Sequence, residues 1–237
     1  MASHRLLSTL DKIMDKEPKE SKSKKLPLYV QGKFDKHLNY KMWVTSGARF
    51  QASNRLKRKH KNSSRSISFL TSYVILFTLF DYLFLQKNGT IDSGLIIFVN
   101  ITFSLLILVF SQLESASDYN VRALKYHNCA IEISDLYKQL RKLKTKIDDD
   151  SQKDEAFWKE VDQIDASYSE VLKRYDNHEP IDLKLFKANT PKYEDHNLNW
   201  FQVMCINATN YLQNTLHYHI VIFAPPVMFG LFLTYGI

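Results

Sequence analysis

The chain has 237 residues, 45% of them hydrophobic and 24% charged, with a formal net charge of +7 and two cysteines. Two cysteines exclude a disulfide-stapled scaffold, and a mean hydropathy of -0.29 averages over blocks that differ sharply in character. Residues 1–65 hold 17 Lys and Arg against 5 Asp and Glu, and the rest of the chain 15 against 20, so the positive charge is banked ahead of the first long apolar run.

Residues 3–14 place Leu6, Leu7, Leu10, Ile13 and Met14 at helical spacing, which predicts a short amphipathic helix. Lys16 to Lys25 holds no apolar residue and reads as a flexible linker. These segments make residues 1–37 an N-terminal amphipathic helix and basic linker.

From Leu38 the pattern becomes a longer helix, with Tyr40, Trp43, Val44, Gly47, Ala48, Phe50 and Leu56 recurring on one face. It either runs into the next segment or bends near Asn62-Ser63-Ser64. Its end carries Lys57, Arg58, Lys59, Lys61 and Arg65, a basic cluster suited to anionic headgroups.

Ser66 to Leu85 is twenty residues with the single charge Asp81; Gln86 to Ser93 is polar; Gly94 to Leu113 is again uncharged. At about 1.5 Å per residue each run spans roughly 30 Å as a helix, the thickness of a bilayer core. Backbone groups have no water to bond there, so both runs must be helical, and residues 38–113 read as a juxtamembrane helix followed by a transmembrane hairpin. The basic cluster before the first crossing orients the N-terminus toward the cytoplasm of a multi-pass membrane protein, and two crossings return the chain there. No cleavable signal peptide is expected, since the first thirty residues lack a sufficient apolar run.

The second crossing is expected to continue as a cytoplasmic helix. Ile133, Leu136, Tyr137, Leu140, Leu143 and Ile147 form one apolar stripe. After Asp148-Asp149-Asp150-Ser151, a second stripe holds Phe157, Trp158, Val161, Ile164, Tyr168, Val171, Leu172 and Tyr175. Residues 114–197 thus predict an antiparallel helical hairpin, ended by Pro180, with Asp182 capping a short helix through Phe186 and a loop over 188–197.

Residues 198–237 predict an amphipathic, aromatic helix over 198–215 and a third uncharged stretch from Leu216 to Ile237. That stretch is long enough to cross, with a kink at Pro225-Pro226, and the alternative is a re-entrant or interfacial hairpin. The fold class is an all-α membrane protein with a C-terminal apolar, membrane-inserted helix.

Within the crossings, Thr71, Thr78 and Asp81 share one arc of the first helix, and Ser93, Asn100, Ser104 and Ser111 one arc of the second. Such residues face protein or water rather than lipid, so they read either as hydrogen-bonding glue between helices or as the wall of a water-filled path. Asp81 falls near the outer mouth, where a ring of carboxylates would favour cations. The sequence carries no Gly-rich phosphate loop, HExxH, paired-Cys motif or nucleophile elbow, which argues against an enzyme. No cofactor is expected, and His217 and His219, two apart on a helix, do not suggest a metal site.

The run Tyr40-Lys-Met-Trp43-Val-Thr45-Ser-Gly-Ala48-Arg49-Phe-Gln-Ala-Ser-Asn-Arg55-Leu56 resembles the W-x-T-x-x-A-R-x-x-A-x-x-R-L motif of the SLATT family, prokaryotic two-transmembrane proteins linked to conflict systems. Asn177-His178-Glu-Pro-Ile-Asp182 resembles that family's N-H-x-x-x-D. The similarity covers roughly Leu38 to Phe186. It implies an anti-phage effector that perforates or depolarises the inner membrane when an upstream sensor fires. It further implies partners such as a reverse transcriptase or a nucleotide cyclase system, and leaves the trigger open among a signalling nucleotide, a nucleic acid and a partner protein. Two or three helices from one chain cannot enclose much water in the lipid bilayer, so a symmetric homo-oligomer is expected. A non-conducting membrane anchor for a defence enzyme is the alternative.

Overall fold

The structure, a computed structural model, describes residues 33–85, 93–147, 153–193 and 196–235. The expectations for residues 3–14, for the Lys16 to Lys25 tract, and for the turns around residues 86–92 and 148–152 lie outside these residues.

The architecture is built on one helix, α1 (Phe34–Phe80), 47 residues or about 70 Å long. Its sequence holds no proline, and it passes unbroken through Asn62-Ser63-Ser64 before a π-helical turn at Asp81–Leu85. Among the described residues the remaining helices are α2 (Ser93–Ala116), α3 (Tyr119–Lys146), α4 (Glu155–Arg174), α5 (Pro180–Asn189), α6 (Trp200–Asn214) and α7 (Leu216–Tyr235).

The polar half of α1 packs with α3 and α4 around Leu38, Met42, Cys129, Ile133, Leu140, Phe157, Val161, Ile164, Tyr168 and Val171. Both stripes read from the sequence thus face this core, and Leu136, Tyr137, Leu143, Ile147, Trp158, Leu172 and Tyr175 line its edge. Ala48, Ala52, Ala123 and Ala130 are fully buried, and such small side chains let α1 and α3 approach closely. At the far end, Asp35 receives Lys153 at 3.1 Å and Lys144 at 3.4 Å. Burial disfavours its charge, but the two ammonium groups outweigh that and hold its carboxyl below the usual range.

The apolar half of α1 carries α2 and α7. Apolar side chains point outward over this half, among them Leu76, Phe98, Ile101, Leu105, Phe223 and Val227, each more than half exposed. A surface of this extent requires lipid around it. Helix α7 runs parallel to α1. Ser66 Oγ donates to the Tyr218 carbonyl, Tyr73 to the Ile222 carbonyl, and Phe80 meets Phe229 edge-on, so contacts descend both helices together.

Two local expectations are corrected. Helix α2 does not continue into α3; Ser117 and Asp118 interrupt it, with Asp118 at φ 47°, a left-handed conformation Asp tolerates. Helix α5 is capped by Glu179, not Asp182, with Pro180 in its first turn, and it reaches Asn189 rather than Phe186. The C-terminal apolar stretch forms one helix, α7, through Pro225 and Pro226, as in the crossing reading and not the alternative hairpin.

Candidate functional site: a polar clasp on the membrane-entering helix

The clasp forms where α4 ends and the chain turns across α1 into α5. Pro180 ends the preceding extended segment and pre-sets the first turn of α5. Glu179 and Asp182 form a capping box there: the Glu179 N–H donates to Asp182 Oδ2 at 3.0 Å. This fixes Asp182, fully buried, opposite Arg55 of α1. Arg55 donates from Nε to Asp182 Oδ1 at 2.8 Å and from Nη2 to Oδ2 at 3.1 Å, and Nη2 also lies 2.9 Å from Glu179 Oε1. A guanidinium fork bridging a carboxylate in this way is the strongest ion-pair geometry side chains offer.

One and a half turns earlier on α1, Arg49 is buried to 1% exposure. Its Nη2 donates to Asn177 Oδ1 at 3.3 Å, and its guanidinium lies over the Tyr126 ring at 5.6 Å. Tyr126 in turn donates to the Asn177 carbonyl at 2.9 Å. Arg49 Nε and Nη1 and His178 Nδ1 are buried without a hydrogen-bond partner, each an unfavourable contribution of about 1–3 kcal/mol. Burial, then the Arg49 charge, holds the His178 imidazole below its ordinary range against a weaker pull from Asp182. Polar groups left this way mark the part of the clasp easiest to rearrange.

The upper edge of the clasp is aromatic. Trp43 meets Phe186 edge-on at 4.9 Å and lies parallel to the His196 ring at 5.9 Å, with Tyr193 against it. The Thr190 carbonyl can only accept, so His196 Nδ1 carries a proton toward it and Nε2 accepts from the Tyr40 hydroxyl. Thr45 shares a 3.0 Å hydrogen bond with Tyr168 of α4. Gly47 gives the close approach its room: a Cβ there would sit 2.0 Å from the Phe186 ring.

The two sequence motifs therefore meet in space. Trp43, Thr45, Arg49 and Arg55 contact the segment from Tyr168 to His196, with Asn177 and Asp182 among their partners, and Ala48 is fully buried between them on α1. Tyr126 and His196 carry no sequence signal for this site; Tyr168 reads only as part of an apolar stripe, and Gly47, alone in a 47-residue helix, only as part of a helical face.

The membrane residues fare differently. Thr71, Thr78 and Ser104 are exposed, and each hydroxyl donates to the carbonyl four residues back in its own helix. Their polarity is satisfied locally and does not force them toward water. Asn100 and Ser111 are half-buried, and Asp81 is 5% exposed, covered rather than open to an outer mouth. The interhelical bonds fall on other residues: Ser66, Tyr73, and Tyr218, whose hydroxyl donates to Glu114 of α2 at 3.1 Å. Of the basic cluster, Lys59 lies over the Tyr119 ring, Lys57 is exposed, and Arg58, Lys61 and Arg65 line a cleft with α6 and α7. Cys129 is buried and Cys205 exposed, both as free thiols. Among the described residues no group of His, Cys, Asp and Glu is arranged to hold a metal.

Fold and site together define a helical membrane protein whose extramembrane bundle is locked onto the helix that enters the bilayer. The chain belongs to family 5 of the SMODS and SLOG-associating 2TM effector domains, which it matches over residues 31–231. The match reaches beyond both motifs and includes nearly all of α7, which stands beside the two long candidate spans as a shorter apolar helix. No curated protein and no solved structure matches the chain.

Proposed function

We propose that the protein is a non-enzymatic effector of anti-phage defence in the bacterial inner membrane. It oligomerises and opens a pore that depolarises the cell, as in abortive infection, when an upstream sensor fires. The observation that carries this reading is the continuity of α1: one unbroken helix belongs both to the clasped bundle and to the first crossing. A signal that loosens or shifts the bundle is thereby delivered to the membrane without a hinge. The basic cluster orients the bundle toward the cytoplasm, where a sensor such as a nucleotide cyclase or a reverse transcriptase would act. One chain offers too few helices to enclose water, so conduction requires several copies around an axis.

In this scheme the described subunit is a closed state. Asp81 is covered, and opening exposes it toward the path together with the Thr71 and Thr78 face. The alternative, a non-conducting anchor for a defence enzyme, is favoured by the same covered Asp81 and by hydroxyls already satisfied within their helices. A potential-sensitive dye in cells carrying the complete system separates the two. Depolarisation on triggering that depends on this chain supports the pore; an unchanged potential with the partner enzyme still recruited to the membrane supports the anchor.

A further inference from the structure

A cleft of about 460 Å³ opens between the membrane-proximal end of α1 and the α6–α7 junction. One wall is Arg58, Lys61 and Arg65, spaced to share a face of α1 over roughly 10 Å. The other is polar and uncharged: Asn207, Asn210 and Tyr211 of α6, Thr215, and His219 of α7. Among the described residues no carboxylate lines it. The Tyr211 hydroxyl and His219 Nδ1 are 2.8 Å apart, which ties the second wall together across the junction.

The depth of the cleft is set by its lower rim. Arg65 precedes Ser66, whose hydroxyl bonds the Tyr218 carbonyl at the top of the apolar half. One turn further down, both walls turn apolar. Phe69 follows Arg65 on α1 and Phe223 follows His219 on α7, 45% and 63% exposed. Three cations and several amide and hydroxyl groups thus sit directly above an aromatic track that opens to the hydrocarbon. A phosphate ester fits the upper part; only one that carries acyl chains also uses the lower part.

We propose that this cleft binds the phosphodiester headgroup of an anionic phospholipid. Arg58, Lys61 and Arg65 neutralise the phosphate, the amides of Asn207 and Asn210 donate to its oxygens or to headgroup hydroxyls, and the acyl chains run down between Phe69 and Phe223. Through Arg58 and Arg65 the lipid grips α1 within a few turns of Arg55, so its occupancy bears on the same helix as the clasp. The proposal rests on the membrane placement of α1 and not on conduction.

The test is native mass spectrometry of the full chain in neutral detergent with equimolar phosphatidylglycerol and phosphatidylcholine. Wild type is expected to retain phosphatidylglycerol preferentially. Arg58→Gln/Arg65→Gln should lose about 30-fold of that preference, at roughly fivefold per basic side chain near an anionic surface. Arg141→Gln/Lys142→Gln removes the same charge at exposed positions of the bundle, away from the cleft, and should retain it. Because Arg58, Arg65, Arg141 and Lys142 are exposed, helicity and melting should be unchanged in both variants, and Asn207→Leu, at an exposed position of the other wall, should lower the preference with no change of charge. Equal retention of the two lipids, or equal loss in both double variants, would overturn the site. Displacement of the lipid by inorganic phosphate or glycerol 3-phosphate at matched concentration would overturn the lipid in favour of a soluble phosphate. Conduction without any lipid preference would reject this inference and leave the pore standing.

Discussion

The Tyr73 hydroxyl donates at 2.9 Å to the carbonyl of Ile222, the carbonyl that Pro226 leaves without its intrahelical N–H. An unpaired carbonyl in hydrocarbon is costly, so a phenol on α1 makes a proline tolerable in α7 and ties the two helices together. Tyr73→Phe should destabilise the protein by about 1 kcal/mol. In a Pro226→Ala background, where the substituted alanine supplies the missing N–H, the same change at Tyr73 should have little effect. Thermal melts of the four proteins in detergent measure the coupling, and strictly additive effects would disprove it.

Arg55 and Asp182 form a buried ion pair, and losing one partner strands the other charge. Arg55→Ala and Asp182→Ala should each destabilise the extramembrane bundle by about 3–5 kcal/mol. Arg55→Lys should recover only part, because an ammonium group cannot bridge Asp182 as a fork and reach Glu179 as well. Limited proteolysis of the bundle in detergent should find wild type most resistant, Arg55→Lys intermediate and Arg55→Ala least.

Gly47 offers a sign test. On helix propensity alone Gly47→Ala would stabilise by up to about 1 kcal/mol. The Phe186 ring occupies the place of the new methyl, so overpacking at about 1–3 kcal/mol should win and the variant should melt lower. Gly47→Ala/Phe186→Leu should recover stability relative to Gly47→Ala.

The pH dependence of the bundle should carry a His178 component. Its folded pKa is depressed, so folding favours the neutral ring. The stability it contributes is complete above the unfolded value of about 6.5 and is lost as pH falls below that toward the folded value. Melting temperatures of wild type should fall between pH 7.5 and 5 more steeply than those of His178→Gln. A parallel decline would show that His178 does not titrate in this range. Asp35, depressed in the same sense by Lys153 and Lys144, adds its loss only at lower pH, below the usual carboxylate range.

Orientation is open to direct labelling. In a Cys129→Ala/Cys205→Ser background, Asn88→Cys should react with an impermeant maleimide on intact cells and Ser151→Cys should not. Reaction of Ser151→Cys from outside would reverse the topology.

The parts legible in the sequence were those with a period. Two apolar runs of bilayer length gave the long spans, and the 3.6-residue stripes from Ile133 to Ile147 and from Phe157 to Tyr175 gave the core of the bundle. Pairings across long separations were not legible. Arg55 and Asp182 lie 127 positions apart, each inside a family motif that does not name its partner, and Tyr73 and Ile222 lie 149 apart with no motif to mark them. The polar arcs of the crossings are weakly informative for a physical reason. A Ser or Thr hydroxyl can satisfy itself on its own helix, as Thr71, Thr78 and Ser104 do, and so carries little information about which way the helix faces. Tyr73 and Tyr218, too long to bond back in that way, carry interhelical bonds, and Ser66 joins them at the top of the apolar half.

The central claim is that this chain conducts when triggered, and planar-bilayer recording of the reconstituted protein with its cognate activated sensor tests it most directly. Discrete currents that require the sensor are expected from wild type. If opening uncovers Asp81 as proposed, their reversal potential under a salt gradient should shift toward zero in Asp81→Asn. An unshifted reversal potential would remove Asp81 from the conducting path, and the absence of any current from triggered wild type would contradict the pore itself.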